Sequence, residues 1–200
     1  MLRKVFFLIL IMLKLNFHPF PELKTERLLL RRLTMDDAQE IFFLRSDKQV
    51  MEYIDREPAT SVRQAEEYIQ HINDNIDNNE AIMWAIALKD NPAKLVGTIC
   101  FWQIKKEHYR TETGYVLHPA YWRKGIMKEA LKKIVEYGFS TLRLHSIEAH
   151  ITPLNVASAA ILEAAGFIKE AHLKENICFR GEFIDTAIYS ILNPEILVTR

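Results

Sequence analysis

The sequence has few cysteines, no excess of either charge and no low-complexity tract. Its 200 residues contain two cysteines, Cys100 and Cys178, both in apolar, strand-like surroundings and neither at metal-ligand spacing. This pattern favours unpaired thiols in a reducing compartment, so we expect a cytoplasmic protein without a metal site. Lysine plus arginine and aspartate plus glutamate each number 26, which leaves no overall basic field to attract nucleic acid. The length and composition fit one globular domain.

The sequence also has no hydrophobic run long enough to cross a membrane. The unbroken apolar run at 5–13 is far shorter than the about 20 residues that a spanning helix needs. Two basic residues precede it, as in a signal peptide, but residues 14–18 do not form a small-residue cleavage site. We therefore expect no membrane partner and treat 1–20 as an extension of one domain at 21–193. Met12 is an alternative natural start, which would place the preceding residues upstream of the protein.

Hydrophobic periodicity predicts a mixture of helices and strands without a strict βαβ repeat. Capping boxes at 34–37 and 61–64 begin two helices, and Asn155 is a good N-cap for a later helix that ends at Gly166. The predicted helices begin at 38 and span about 61–76, 127–139 and 155–165, and the predicted strands span 28–33, 81–88, 94–104, 111–118, 146–151, 167–175 and 182–192. This order favours a mixed α/β sheet flanked by helices over a doubly wound fold.

A basic, glycine-containing turn lies between the strand at 111–118 and the following helix. It consists of Trp122, Arg123, Lys124, Gly125, Ile126 and Met127. Unpaired N–H groups at a helix start and the helix dipole bind phosphate oxygens, and the glycine lets the ligand approach. The pattern also fits a plain turn with solvated charges, because it is neither a Walker loop nor a GxGxxG fingerprint. A pyrophosphate-bearing ligand is the chemistry that this turn would suit.

The amino-acid sequence around the turn resembles that of a known enzyme family. Residues 112–131 read ETGYVLHPAYWRKGIMKEAL, 155–158 read NVAS, 166–167 read GF, and 25–31 read TERLLLR. Together these segments resemble the GNAT superfamily of acetyltransferases, and more narrowly its ribosomal-protein N-terminal alanine and serine acetyltransferases. The resemblance runs from about residue 21 to 192. It implies the GNAT fold, a central, mostly antiparallel mixed sheet that is splayed at the cofactor site and flanked by helices.

The resemblance implies acetyl-CoA as co-substrate and assigns its contacts. The pantetheine arm would lie along the splayed strand at Val116 and Leu117, and the pyrophosphate on the amides of residues 123–127. In the general superfamily pattern, Gln or Arg stands three residues before the glycine and Gly or Ala two after it. Trp122 and Met127 depart from that pattern, but both departures are common in the resembled branch.

Asn155 and Ser158 are the further residues that the resemblance implies. Many members use a tyrosine on the last helix as a donor to the departing thiolate, and here that position is Leu162. In the resembled branch the serine of the Asn-x-x-Ser motif is the usual substitute, which assigns the donor role to Ser158 and a CoA or water contact to Asn155. Plain helix capping by both residues is the alternative interpretation.

Catalysis needs a base, because only a neutral amine can attack the thioester. Glu112 is the candidate, since the resemblance places a carboxylate on this strand near the acetyl group and alternation sets Glu112 on the same face as Val116. A surface strand glutamate is the alternative, and His118 and His150, near strand ends, are more typical of structural or exposed histidines. Three strand aromatics could line the acceptor pocket, although such residues more often belong to the core: Trp84, Trp102 and Tyr115.

The sequence therefore predicts an N-acetyltransferase that acts by direct attack in a ternary complex. A protein N-terminal α-amine is the favoured acceptor. The alternatives are a small amine, such as a polyamine, amino acid or aminoglycoside, and a noncatalytic CoA-binding module. The loops at 53–60 and 105–110 are expected to select the acceptor, and the chain is expected to be a monomer or a homodimer.

Overall fold

The structure, a computed structural model, describes residues 12–196. Its strands are β1 (Leu23–Lys24), β2 (Leu28–Arg31), β3 (Ile82–Leu88), β4 (Asn91–Lys105), β5 (Arg110–Leu117), β6 (Ser146–Ile151), β7 (Ile168–Phe179) and β8 (Glu182–Leu192). Its helices are α1 (Ala38–Ser46), α2 (Lys48–Met51), α3 (Val62–Asp77), α4 (Ile126–Ser140) and α5 (Val156–Ala164). The strands form one eight-stranded sheet in the order β1-β2-β3-β4-β5-β6-β8-β7.

The sheet opens between β5 and β6, which form the parallel pair among otherwise antiparallel neighbours in the described chain. Glu112 opposite Glu148 is the last residue pair that joins them. From there β5 runs on to Leu117 and β6 to Ile151, with no further β5–β6 pairing within residues 12–196. Parting strands expose main-chain N–H and C=O groups to a ligand. This confirms the predicted mixed, mostly antiparallel sheet with a splay.

Helices cover the two faces of the sheet, and the side chains of β3 alternate between them. Met83 and Ala85 belong to the cluster that packs with α1 and α3. Trp84 belongs to the cluster with α4 and contacts Phe101 and Tyr137 edge-on, at centroid distances of 5.8 and 5.7 Å. This packing fixes α4 on the sheet, so its first turn stays next to the end of β5.

The segment before β1 packs on this core. Leu13 and Phe17 are buried in the cluster with α4, and the Phe17 N–H donates to Asn79 Oδ1 at 2.7 Å. The domain start at 21 therefore remains a prediction, with ordered contacts upstream of it. The predicted upstream extension before Met12, and most of its apolar run, lie outside the described residues. Within those residues, no helix combines the length and apolar character that crossing a membrane requires.

Several boundaries differ from the predictions because pairing extends them. β4 begins at Asn91, inside the predicted turn, where it pairs with Leu88. β7 runs past the predicted end at residue 175, since it stays paired with β8 as far as Phe179. A 3-10 turn at Met35–Asp37 precedes α1, and the Asp37 carboxylate accepts the Thr34 N–H as the predicted capping box requires. The strand at 146–151 and the end of the last helix at Gly166 (φ +92°) are as predicted.

Candidate active site

The splay between β5 and β6 opens into a cleft of about 630 Å³. Four residues proposed from the sequence line it: Glu112, Val116, Asn155 and Ser158. Leu117, Trp122 and the turn at 123–127 are outside its lining. The predicted site residues therefore lie in two places, some in the cleft and the others near the start of α4.

The other residues considered from the sequence separate into two groups. Trp102, Tyr115 and His150 line the cleft, whereas Trp84 is fully buried in the core. His118 has a structural role, because its Nδ1 accepts the N–H of Ala120 at 3.1 Å and its ring stacks at 4.4 Å on Phe43.

Glu112 is a buried carboxyl group on the wall of the cleft. It lies opposite Trp102 of β4 and Glu148 of β6, and 7% of the residue is exposed. Burial disfavours the ionised form, and the carboxylates of Glu148 and Asp55 add to this effect, so the pKa of Glu112 rises to about 7. A carboxyl group with this pKa can take up and release a proton near neutral pH.

His150 lies between Glu112 and Glu148. Its Nδ1 is 3.9 Å from Glu112 Oε2, its Nε2 is 3.7 Å from Glu148 Oε1, and 37% of its side chain is exposed. One ligand atom from each of these three residues lies within 4.8 Å of the others. Arg110 Nη2 is 3.5 Å from the same oxygen of Glu148 and supplies a fixed positive charge there. The group joins the buried carboxyl group to solvent through polar side chains.

Ser158 lies at the start of α5, within reach of a side chain from β5. Asn155 Oδ1 accepts the Ser158 N–H at 3.0 Å, as the capping interpretation predicts. The Ser158 hydroxyl oxygen is 2.7 Å from the phenol oxygen of Tyr115. Sequence reasoning considered Tyr115 for the acceptor pocket and missed this contact. The sequence does contain a signal for it. Tyr115 is three positions after Glu112 in β5, and an odd spacing places the two side chains on opposite faces of the strand.

The turn before α4 has a left-handed backbone at Arg123 (φ 59°) and at Gly125 (φ 73°). Among residues 12–196, the backbone N–H groups of 123–127 have no hydrogen-bond acceptor. Trp122 Nε1 donates to the carbonyl of Leu117 at 2.7 Å, which ties the turn to the end of β5. Free amides at the N-terminus of a helix, beside basic side chains, fit the diphosphate of CoA.

Two residues that sequence reasoning did not assign to the site brace this turn. Arg27 Nη1 donates to the carbonyl of Lys124 at 2.9 Å, and Arg27 Nε donates to Glu129 Oε2 at 2.6 Å. Thr25 Oγ1 donates to Glu129 Oε1 at 2.5 Å. The start of the TERLLLR segment therefore holds the first turn of α4.

A second cavity of about 630 Å³ adjoins the cleft and shares lining with it, including most of 51–56 together with Thr152 and Ile184. We call these two adjoining cavities together the groove. The loop at 53–60 contributes to both cavities, whereas 105–110 line neither of these two cavities.

Basic side chains lie along this groove. The guanidinium of Arg45 lies 3.9 Å over the ring of Tyr68. Arg45 and Arg56 line the cleft, and within the described residues neither has a carboxylate oxygen within 4.0 Å. At the outer end, Arg180 of the β7–β8 turn binds Glu57 with contacts of 3.0 and 2.6 Å. This ion pair links the hairpin to the loop that lines the groove.

Comparison with known proteins agrees with this geometry. The sequence profile of the family described as "Acetyltransferase (GNAT) domain" matches residues 27–168. The chain belongs to the GNAT acetyltransferase family. It is 38% identical to "Uncharacterized N-acetyltransferase YoaA" of Bacillus subtilis over 175 residues, which cover 88% of this chain and 98% of that protein. The predicted fold and enzyme class of this acetyltransferase are thereby confirmed, and GNAT acetyltransferases use acetyl-CoA.

Two further relatives of the acetyltransferase carry substrate names. A spermidine N(1)-acetyltransferase of Vibrio cholerae is 28% identical over 172 residues, covering 86% of this chain and 96% of that protein. The crystal structure of ribosomal-protein-S5-alanine acetyltransferase from Vibrio fischeri superposes with a TM-score of 0.76 at 25% identity, covering 89% of this chain and all of that one. The names of these relatives divide between a polyamine and a protein acceptor.

Proposed function

We propose that this acetyltransferase transfers the acetyl group of acetyl-CoA to the α-amine of a protein N-terminus by direct attack of the amine. The observation that carries the proposal is the buried Glu112, whose pKa lies near 7 at the point where β5 and β6 part. A base in this position can remove the proton that an ammonium group must lose before it attacks. The free thiols of Cys100 and Cys178 support a cytoplasmic location.

The residues divide the reaction between the turn before α4 and the cleft. The amides of residues 123–127 and the charge of Arg123 would hold the diphosphate, while the main chain at Val116 would align the pantetheine. Glu112 accepts the proton of the amine, directly or through a water. Ser158, on the other side of β5, donates a hydrogen bond toward the thioester sulfur, which stabilises the charge that develops there as the C–S bond breaks.

The shape and charge of the groove favour a peptide acceptor. The groove continues beyond the splay between 51–56 and the β7–β8 hairpin, which gives room for residues that follow an N-terminus. Arg45 and Arg56 repel a polycation, but they can bind the carbonyl or carboxylate groups of a peptide.

A small polyamine is the second candidate acceptor. The carboxylates of Asp55 and Glu148 act on Glu112, so a cationic amine would find negative charge near the base. The spermidine N(1)-acetyltransferase of Vibrio cholerae agrees with this alternative.

An acceptor panel tests the proposal. We would measure CoA release and product mass with hexapeptides that begin with serine or alanine, with the same peptides blocked at the α-amine but carrying a lysine, and with spermidine. Acetylation of the free α-amine peptides, and not of their blocked counterparts, is expected. Turnover of spermidine with none of the peptides acetylated would overturn the peptide assignment and leave the polyamine.

A further inference from the structure

The contact between Tyr115 and Ser158 joins two hydroxyl groups inside the cleft. Their oxygens are 2.7 Å apart, and the phenol oxygen is also 3.4 Å from the main-chain carbonyl of Ser158. Ser158 is buried and Tyr115 is half-buried. Both residues line the cleft at the splay. The pair therefore borders the cleft in which the acetyl transfer is proposed to take place.

Either hydroxyl group can donate in the 2.7 Å contact, and the carbonyl of Ser158 at 3.4 Å is a second, longer acceptor for the phenol. We assign the phenol as the donor to the Ser158 hydroxyl, which is the shorter of its two contacts. A phenol is a stronger acid than an aliphatic hydroxyl group, so the phenol is the better donor of the two. Burial raises the pKa of Tyr115 to about 12, which keeps the phenol protonated throughout the neutral range. In the described chain the Ser158 hydroxyl has no other hydrogen-bond partner. When Tyr115 donates, the proton of Ser158 is left to point into the cleft.

The residue at position 162 of α5 is a leucine, so the phenol group in this part of the cleft comes from elsewhere in the chain. Leu162 lies one helical turn after Ser158, on the same face of α5, and is fully buried. It offers no donor. The phenol that reaches this part of the cleft comes instead from β5, 43 positions before Ser158.

We propose that Tyr115 is a positioning residue that orients the Ser158 hydroxyl toward the thioester sulfur and strengthens it as a donor. The inference rests on the proposed role of Ser158. The chain Tyr115 Oη–H to Ser158 Oγ–H to sulfur is cooperative, because each donated bond polarises the next. As the C–S bond breaks, its electron pair passes to sulfur, which Ser158 stabilises by hydrogen bonding. The amine loses two protons, one before it attacks and one as the tetrahedral intermediate collapses to the amide. Both leave through Glu112 to solvent, and the sulfur takes one proton from solvent.

The first test needs no acceptor. The thiol of CoA in its binary complex with the enzyme is titrated by the ultraviolet absorbance of the thiolate, for the wild type and for Tyr115→Phe. A hydrogen bond to a charged atom favours that charged form, so weakening the donor chain should raise the pKa of the bound thiol by about 0.5–1 unit. Tyr137→Phe is the matched control, because it removes the same hydroxyl group from a buried tyrosine whose phenol has no hydrogen bond among residues 12–196.

The second test compares turnover at saturating acetyl-CoA, using the acceptor that the panel selects. Tyr115→Phe should lower kcat about 10-fold without changing the Kd of CoA. Ser158→Ala should lower kcat at least as much, and the double variant should be no slower than Ser158→Ala, because the phenol acts through Ser158. Tyr137→Phe should leave kcat unchanged.

The outcomes separate the two proposals. If the wild type acetylates no amine, the proposed function fails. If Ser158→Ala is slow but Tyr115→Phe matches the wild type in both kcat and thiol pKa, the role of Tyr115 fails alone. Additive losses in the double variant would likewise overturn it, since Tyr115 would then act independently of Ser158.

Discussion

Replacing Glu112 by glutamine should stabilise the protein while it removes activity. The pKa of Glu112 rises from 4.5 to about 7 in the folded chain, so at 1.36 kcal/mol per pKa unit the ionised group costs the fold roughly 3 kcal/mol. Because the folded-state pKa is the higher one, this cost is fully present above about pH 7 and disappears as the pH falls toward 4.5. Glutamine has nearly the same shape and carries no charge.

The expected stability change depends on pH in a way that identifies its cause. At pH 8 the Glu112→Gln variant should melt about 5–10 °C above the wild type. At about pH 4.5, where the carboxyl group is protonated in the folded state and half protonated in the unfolded state, the difference should be small. Differential scanning fluorimetry across this range measures it. Glu136→Gln is the control, since Glu136 lies on the outside of α4 and pairs only with Lys133 among described residues.

The same variant should lose about 100-fold in kcat/KM at pH 7, because a positioned base is removed. In the wild type, kcat/KM should rise with pH through about 7 as Glu112 ionises. In the variant, kcat/KM should instead rise with pH through about 7.7–8.0, which is the pKa range of a free α-amine in model peptides. If the Glu112→Gln variant is as active as the wild type, or if its melting temperature at pH 8 equals that of the wild type, Glu112 is not a buried, ionisable base.

Three other substitutions test separate parts of the structure. Glu148→Gln should move the acid limb of the kcat/KM profile to lower pH, because the Glu148 carboxylate raises the pKa of Glu112; a shift to higher pH would contradict the charge arrangement. Gly125→Ala should weaken CoA binding about 10-fold by calorimetry, since a left-handed φ of +73° costs a residue with a Cβ about 1–2 kcal/mol; unchanged binding would remove the turn from the site. Asp37→Asn should lower the free energy of unfolding in urea by about 3 kcal/mol, because it breaks the buried ion pair with Arg31 at 2.6 Å, whereas Asp36→Asn, on the exposed neighbour, should change it little.

The turn at 122–127 could be predicted because all of its parts are adjacent in the sequence. A strand end, a basic pair, a glycine and an amphipathic helix follow one another there, and local rules describe each step. The residues that brace the turn could not be predicted in the same way. Arg27 and Lys124 are 97 positions apart, and no local pattern states that the start of β2 lies behind α4.

The chemistry of Glu112 was less predictable than its position. Alternation along β5 places its side chain on one face, but its pKa depends on burial and on Asp55 and Glu148, which come from a distant loop and a neighbouring strand. The outer end of the groove is the extreme case. Its border depends on Arg180 meeting Glu57 across 123 positions, and a sequence read segment by segment contains no signal for that contact.

β5 connects the two halves of the site through its backbone geometry. Glu112 and Tyr115 are an odd number of residues apart, so the strand must direct one toward α1 and α3 and the other toward α5. Glu112, Gly114 and Val116 share the first face, and Gly114 leaves that face open beside Cys100, 3.7 Å from where its Cβ would be. A one-residue slip of β5 against β4 would exchange the faces and move the base to the side of Ser158. The antiparallel pairing from Gly97–Leu117 to Trp102–Glu112 prevents that slip, so the β4–β5 ladder holds the proposed base and donor on opposite faces of β5.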